Sequence, residues 1–131
     1  MERIDKQYIN GTFVKSIGTE MVEIVNPATG NVIGESVLGN EEDVLKAIAA
    51  AKEAFPSFAV STVEERQKYL QQLHDAVIER IDELKEAAIL EYGATVQKAE
   101  WSNRYAAETF LQFKELLSDY CFECSITYTW N

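Results

Sequence analysis

Cysteine is scarce in this sequence, because just two of the 131 residues, Cys121 and Cys124, are of this type. We therefore expect no secreted fold held together by several disulfides. Histidine is scarcer still, and His74 with the two distant cysteines falls short of the four ligands that a structural zinc ion needs. We predict no metal site in this chain.

Basic residues are also few, since 12 Lys and Arg stand against 22 Asp and Glu, for a net charge of -10. Nucleic acid is disfavoured as a partner because phosphate binding needs clustered Lys and Arg. No apolar run approaches the roughly 20 residues that cross a bilayer, and the first residues lack the apolar core of a secretory signal. We predict a cytoplasmic protein with an acidic, solvated surface and no membrane partner.

The first forty residues carry strand and turn signals. Asn10-Gly11 separates two short apolar runs, and both residues tolerate the positive φ angles of a tight hairpin turn. The alternation of Val22–Val25 predicts a strand, and the sequence Asn-Pro-Ala-Thr-Gly at 26–30 predicts a turn. The segment 31–38 then predicts a returning strand.

Helical patterns begin at residue 40. Asn40 is a good N-cap, acidic residues fill the first turn after it, and we expect Pro56 to end this helix. Ser61 or Thr62 caps a second helical stretch, in which Thr62 and Glu65 fit a capping box. The stretch has a break near Ile81-Asp82 and ends at Gly93. Both stretches carry apolar residues at helical spacing.

A third helix is predicted from about Val96 to Asp119, with a strongly aromatic stripe. The stripe consists of Trp101, Tyr105, Phe110, Phe113, Leu117 and Tyr120. We interpret this stripe as core rather than as a cofactor site. The composition changes after residue 120, and Ser125–Trp130 favours a strand with no visible partner. We therefore divide the chain into 1–120 and a divergent or truncated tail, 121–131.

The order of these segments resembles the start of the NAD(P)-dependent aldehyde dehydrogenase family, over roughly residues 5–120. The matching pieces are Tyr8-Ile9-Asn10-Gly11, Val25-Asn26-Pro27-Ala28-Thr29-Gly30, Glu41 to Phe55, Ser61-x3-Glu65-Arg66, Ile81-Asp82-Glu83-Leu84 and Glu91-x-Gly93. The resemblance implies an α/β fold of the aldehyde dehydrogenase kind, of which this is the N-terminal part only: mostly α-helical, with short N-terminal β-hairpin strands. It also implies oxidation of an aldehyde to a carboxylic acid, NAD or NADP as cofactor, and a homo-oligomer in the intact family.

The chain departs from the family pattern in places. Phe58 stands where the family often has Trp, and Gly93-Ala94-Thr95 stands where it often has Gly-Lys-Pro, which indicates a particular branch. Family members usually continue into a β-hairpin used for oligomer contacts and then a strand ending in Pro-Trp-Asn. Trp130-Asn131 matches the end of that motif but comes too early, so we interpret the match as coincidence.

The family reaction needs an activated thiol, an oxyanion donor, a general base and a bound dinucleotide. Cys121-x2-Cys124 follows a helix, whose C-terminal dipole disfavours a thiolate, and lacks the Gly-Gln pair that precedes the family nucleophile. The glycines are too scattered for a phosphate cradle, and His74 has no nucleophilic partner suggested nearby. We predict no catalytic and no cofactor-binding residue here.

Three hypotheses follow. The first is a truncated aldehyde dehydrogenase fragment that binds no cofactor and is inactive alone, so its status as an enzyme stays open. The second is a stand-alone acidic helical interaction module, whose exposed apolar helix faces would lead to self-association. The third is a small redox or metal protein built on Cys121 and Cys124, which has the least support.

Overall fold

The computed structural model describes residues 2–122, in which five short strands precede four helices. The strands are β1 (Glu2–Ile4), β2 (Lys6–Ile9), β3 (Thr12–Lys15), β4 (Met21–Val25) and β5 (Val32–Val37). The helices are α1 (Glu41–Ala59), α2 (Val63–Glu79), α3 (Ile81–Tyr92) and α4 (Val96–Leu116). This architecture confirms the prediction of a mostly helical chain with short N-terminal strands. None of the helices within residues 2–122 has the length and apolar character that a membrane span requires.

The strands form two small sheets. In the first, β5 lies between β1, which runs parallel to it, and β4, which runs antiparallel. The second is the β2–β3 hairpin, in which Ile9 pairs with Thr12. Its turn residues Asn10 and Gly11 have φ angles of 51° and 77°. Two positive φ angles are those of a type I′ turn, which confirms the predicted hairpin.

The predicted turn at residues 26–30 is also confirmed, and the side chain of its first residue, Asn26, stabilises it. The Asn26 side-chain oxygen accepts hydrogen bonds from the backbone N–H groups of Ala28 and Thr29, at 2.9 and 3.2 Å. Gly30 completes the turn with a φ of 71°, and its N–H donates to the Asn26 carbonyl at 2.8 Å. An Asn side chain that mimics a backbone turn in this way makes β4 reverse into β5.

Helix α1 begins as predicted but does not end as predicted. Asn40 is its N-cap, whereas Pro56 lies inside the helix, which continues to Ala59. The expectation that Pro56 ends the helix is therefore wrong. Proline removes one amide donor and crowds the preceding turn of a helix. The last turn of α1, beyond Pro56, is nevertheless stabilised by a residue of the next helix. The guanidinium of Arg66 donates to the carbonyls of Phe58 and Ala59, at 3.4 and 3.2 Å.

Helices α2 and α3 are one amphipathic stretch with a break at Arg80. The predicted capping box is present, because the Thr62 hydroxyl accepts from the Glu65 N–H and a Glu65 carboxylate oxygen accepts from the Thr62 N–H. Gly93 ends α3 in the left-handed conformation, with a φ of 70°. A β-carbon at Gly93 would lie 2.8 Å from Cγ of Pro27, so the end of α3 packs closely on the turn between β4 and β5.

Helix α4 packs against α2 and α3, and alanines rather than aromatics are buried there. Ala99 and Ala107 have no exposed surface. Trp101 and Tyr105, in contrast, are 63% and 55% exposed. The interpretation of the aromatic stripe as core is therefore wrong for Trp101, Tyr105, Phe113 and Tyr120, which are exposed, whereas Phe110 and Leu117 are partly buried. Small side chains let the helices approach closely. The helix also ends at Leu116, before the predicted limit.

Candidate functional site

Asp43, in the first turn of α1, is the charged residue that is buried among residues 2–122, with 2% of its surface exposed. Its carboxylate accepts hydrogen bonds from the Ser16 hydroxyl at 2.8 Å and from the backbone N–H groups of Ile17, Gly18 and Asn40. Desolvation raises the pKa of Asp43, but these donors together outweigh it and hold the pKa below its ordinary value. The carboxylate thus fixes the loop after β3 to the start of α1.

The start of α1 is also where a strand leads through a glycine into a helix, the arrangement that cradles phosphates in dinucleotide sites. Here the chain itself occupies the helix N-terminus. The Asn40 side chain accepts from the Asp43 N–H at 3.1 Å, and the Asp43 carboxylate accepts from the Asn40 N–H at 3.2 Å. A phosphate placed here would meet a carboxylate, so this helix start is suited to packing rather than to nucleotide binding.

Arg66, in the first turn of α2, joins three parts of the chain. Its Nε donates to the hydroxyl of Ser61 at 3.0 Å, beside the bonds to the last carbonyls of α1 described above. The guanidinium carbon lies 5.3 Å from the ring centroid of Phe58 and 4.7 Å from that of Phe122. Arg66 therefore connects the end of α1, the start of α2 and the segment after α4.

His74 lies on α2 and points to a neighbouring carboxylate. Its Nδ1 is 2.8 Å from Oδ1 of Asp75, which also accepts from Gln71 at 2.9 Å. The hydrogen bond from His74 lowers the pKa of Asp75 most, followed by that from Gln71. No serine or cysteine hydroxyl or thiol is bonded to His74 within the described residues. The arrangement is typical of a helix surface, and the absence of a catalytic role for His74 stays a prediction.

The two cysteines cannot be compared with each other, because Cys124 lies outside the described residues, as does the predicted strand at 125–130. Cys121 is exposed and follows the end of α4. Within residues 2–122, no group of three His, Cys, Asp or Glu side chains is arranged to hold a metal ion. The third hypothesis, a redox or metal protein, gains nothing from the structure.

An apolar groove opens where α2 and the end of α4 meet. Its volume is about 540 Å³. Its lining is almost entirely apolar, from Leu70, Phe113, Leu116, Leu117, Tyr120 and Phe122, with Asp119 at its edge. A groove of this size falls in the range of ligand pockets. It carries few polar groups to orient a substrate, and it is continuous with the exposed aromatic side of α4.

The exposed apolar surface extends beyond α4. The chain has 10472 Å² of accessible surface, whereas a folded monomer of 14.8 kDa is expected to expose about 7,000 Å². Among the described residues, large apolar side chains such as Phe55, Val60 and Trp101 are exposed, and a self-sufficient domain of this size would bury more of them.

Sequence reasoning missed the roles of Asp43 and Arg66, which the structure shows to be the main polar links between elements. Asp43 was expected only as a helix-dipole acid, although its spacing from Asn40 repeats the capping-box pattern that was recognised at Thr62. Arg66 was noted only as part of a motif. Its contacts to Phe58 and Phe122 span 64 residues of chain, and no local pattern reports them.

The comparisons with known proteins agree on one family. The sequence model of the aldehyde dehydrogenase family matches residues 13–126. A Staphylococcus saprophyticus protein assigned to the aldehyde dehydrogenases is 37% identical over 124 residues, which cover 94% of this chain and 26% of that protein. The chain thus spans about a quarter of the length of the curated relatives it matches.

Solved structures show the same relationship in three dimensions. Lactaldehyde dehydrogenase from Escherichia coli superposes with a TM-score of 0.88 at 30% identity, covering 97% of this chain and 27% of that one. Aldehyde dehydrogenase C from Pseudomonas syringae, solved with NAD+ and octanal, superposes with a TM-score of 0.86 at 32% identity, covering 97% of this chain and 27% of that one.

Proposed function

The chain belongs to the aldehyde dehydrogenase family, and we propose that it supplies the N-terminal scaffold of an NAD(P)-dependent enzyme that oxidises an aldehyde to a carboxylic acid. Residues 1–120 form that scaffold in this proposal, and residues 121–131 form a divergent tail. The family uses NAD(P) and is oligomeric. A cytoplasmic location without a nucleic acid or membrane partner belongs to the same proposal.

One observation carries this proposal: Asp43 and Arg66 are both engaged in holding elements together. Asp43 accepts bonds from a loop 25–27 residues away, and Arg66 binds the carbonyls at the end of α1. A general base or an oxyanion donor must instead point at a space where substrate can bind. We therefore propose that the chain holds no catalytic, cofactor-binding or metal-binding residue and is inactive on its own.

The test joins this chain to the remainder of a relative. In the chimera, residues 1–120 replace the aligned segment of the Staphylococcus saprophyticus relative. We expect the chimera to reduce NAD+ or NADP+ in the presence of an aldehyde, because a matching scaffold leaves the relative's own chemistry in place. The isolated chain is expected to show neither turnover nor cofactor binding in calorimetry. Turnover by the isolated chain, or a well-folded chimera without activity when the parent relative is active, would refute the proposal.

The excess surface favours a second candidate function, a stand-alone acidic interaction module that self-associates. Scattered apolar residues are normal on a protein surface, but α1 exposes Val44, Ile48 and Phe55 at helical spacing on one face. Binding distinguishes this second candidate from the first, because an interaction module would bind a partner in the absence of any other dehydrogenase segment. Sedimentation of the purified chain tests this, and a strictly monomeric, well-folded chain would contradict it.

A further inference from the structure

Helix α1 differs from the other three helices in how little of it is covered. Of its 19 residues, Asp43 is buried and Ala50 is half-buried, while all the others are exposed. Helix α2, in contrast, has half-buried residues on each turn of one face, among them Leu70, His74 and Val77. Helix α4 packs extensively on α2 and α3, whereas the largest contact of α1 with another element is a small one with β2. The chain therefore joins a packed group of helices, α2–α4, to a helix that is exposed over most of its length.

Two polar anchors fix α1, one at each end. At the start, the Asp43 carboxylate accepts hydrogen bonds from the Ser16 hydroxyl at 2.8 Å and from the backbone N–H of Ile17 at 3.1 Å. At the end, the Arg66 guanidinium donates to the carbonyl of Ala59 at 3.2 Å. The first anchor binds the loop after β3, and the second binds the start of α2.

Residues 44–57 lie between these anchors and depend on their own helix bonds. Within residues 2–122, no hydrogen bond or ion pair joins them to another helix or strand. Most helical stability in proteins comes from the packing of one face, and a segment of about 12–15 residues is marginal in water without it. Regions with few buried apolar contacts and exposed backbone hydrogen bonds open locally at a low free energy. Pro56 weakens the segment further, since it removes one amide donor.

We propose that α1 is a strap, in which residues 44–57 open and close between the two anchors while the α2–α4 group stays folded. In the open state these residues lose their helix bonds, and Asp43 and Arg66 keep both ends in place. The anchors limit the opening, because fixed ends restrict the conformational freedom that the open segment gains. Any contact made only to the closed strap shifts the equilibrium toward the helix. The inference rests on the burial and contacts of α1, so the chimera assay neither supports nor refutes it.

Amide hydrogen exchange of the full chain, followed residue by residue by NMR, tests the proposal. We expect the amides in the middle of α1 to be less protected than those at the contact of α2 with α4. Low concentrations of denaturant are expected to accelerate exchange in the α2–α4 group more than in α1, because global unfolding exposes more surface than opening of the strap. The amide of Ile17, which donates to Asp43, is expected to be more protected than the middle of α1.

Two alanine-to-glycine variants separate opening of the strap from global unfolding. Ala51 in α1 and Ala106 in α4 are matched, because both are exposed residues of a helix interior, where glycine weakens a helix by a factor of about four to five. Ala51→Gly is expected to accelerate exchange in the middle of α1 by that factor, with Tm and the exchange of α2–α4 unchanged. Ala106→Gly is expected to lower Tm and accelerate exchange in α2–α4, with α1 unchanged.

Two outcomes would overturn the proposal. Equal protection of α1 and α4, or a decrease in Tm for Ala51→Gly as large as that for Ala106→Gly, would mean that α1 unfolds only together with the rest of the chain. Protection of Ile17 as low as that in the middle of α1 would mean that the helix detaches at Asp43 rather than opening between fixed ends.

Discussion

Replacing Ala107 by leucine tests whether α2, α3 and α4 are held together by close approach at small side chains. Ala107 has no exposed surface, and α4 packs on both α2 and α3. The α2 contact runs antiparallel, because Gln67 donates to the Ser118 hydroxyl and the Lys114 ammonium donates to the side chain of Gln71. Leucine at position 107 adds three carbons to a side chain that has no exposed surface.

The expected cost follows from overpacking. Additional methylene groups in a closely packed site force strained rotamers or backbone shifts, at about 1–3 kcal/mol. Leucine and alanine are both good helix formers, so intrinsic helix propensity contributes little to this difference. For a chain of this length we expect a decrease in Tm of about 3–15 °C, measured by thermal unfolding followed by far-UV circular dichroism.

Ala106→Leu is the matched control, because Ala106 is the adjacent residue of the same helix and is exposed. It introduces the same side chain with room to accommodate it, and we expect Tm to stay close to that of the unchanged chain. Equal values of Tm for the two variants would show that Ala107 is not at a close contact. The reasoning that α4 packs by its alanines would then be refuted.

Three further predictions concern the links between elements. Gly93→Ala is expected to cost about 1–2 kcal/mol more in chemical denaturation than Gly30→Ala, because both have φ near 70° but only the former meets Pro27. Arg66→Lys is expected to lower the free energy of unfolding by about 1–2 kcal/mol, since lysine cannot bind several carbonyls and two rings at once. The depressed pKa of Asp43 adds stability above its ordinary pKa of 3.8 that is lost as the pH falls further. Asp43→Asn should therefore lower Tm at neutral pH and flatten the decrease of Tm as the pH falls below 3.8; an unchanged acid profile would contradict this.

Signals confined to a few neighbouring residues were readable from the sequence. Asn10-Gly11 predicted its turn because two positive φ angles restrict the choice of residues. Thr62 and Glu65 predicted the start of α2, because a capping box needs only four positions. The prediction from Pro56 was wrong because the continuation of a helix beyond proline depends on residues elsewhere in the chain. Here Arg66, on the next helix, donates a hydrogen bond to a carbonyl in the last turn of α1.

Burial was not readable in the same way. Helical spacing shows which side chains share a face, but it does not show which face is covered. Both sides of α4 carry residues that suit packing, and alanines such as Ala99 give a weaker apolar signal than Trp101 or Phe113. The covered side proved to be that of Ala99, because close approach of helices depends on small side chains and gives up less conformational entropy than ordering large ones.

The segments that carry the family resemblance are also those that make the contacts between elements. The turn that contains Pro27 meets Gly93, and Arg66 binds the end of α1. These contacts are needed to build the scaffold whatever reaction is catalysed elsewhere. A motif of this kind reports the geometry of the fold, and the chemistry has to be argued separately from groups that face a substrate. Family membership of this chain therefore does not by itself imply that the chain holds catalytic groups.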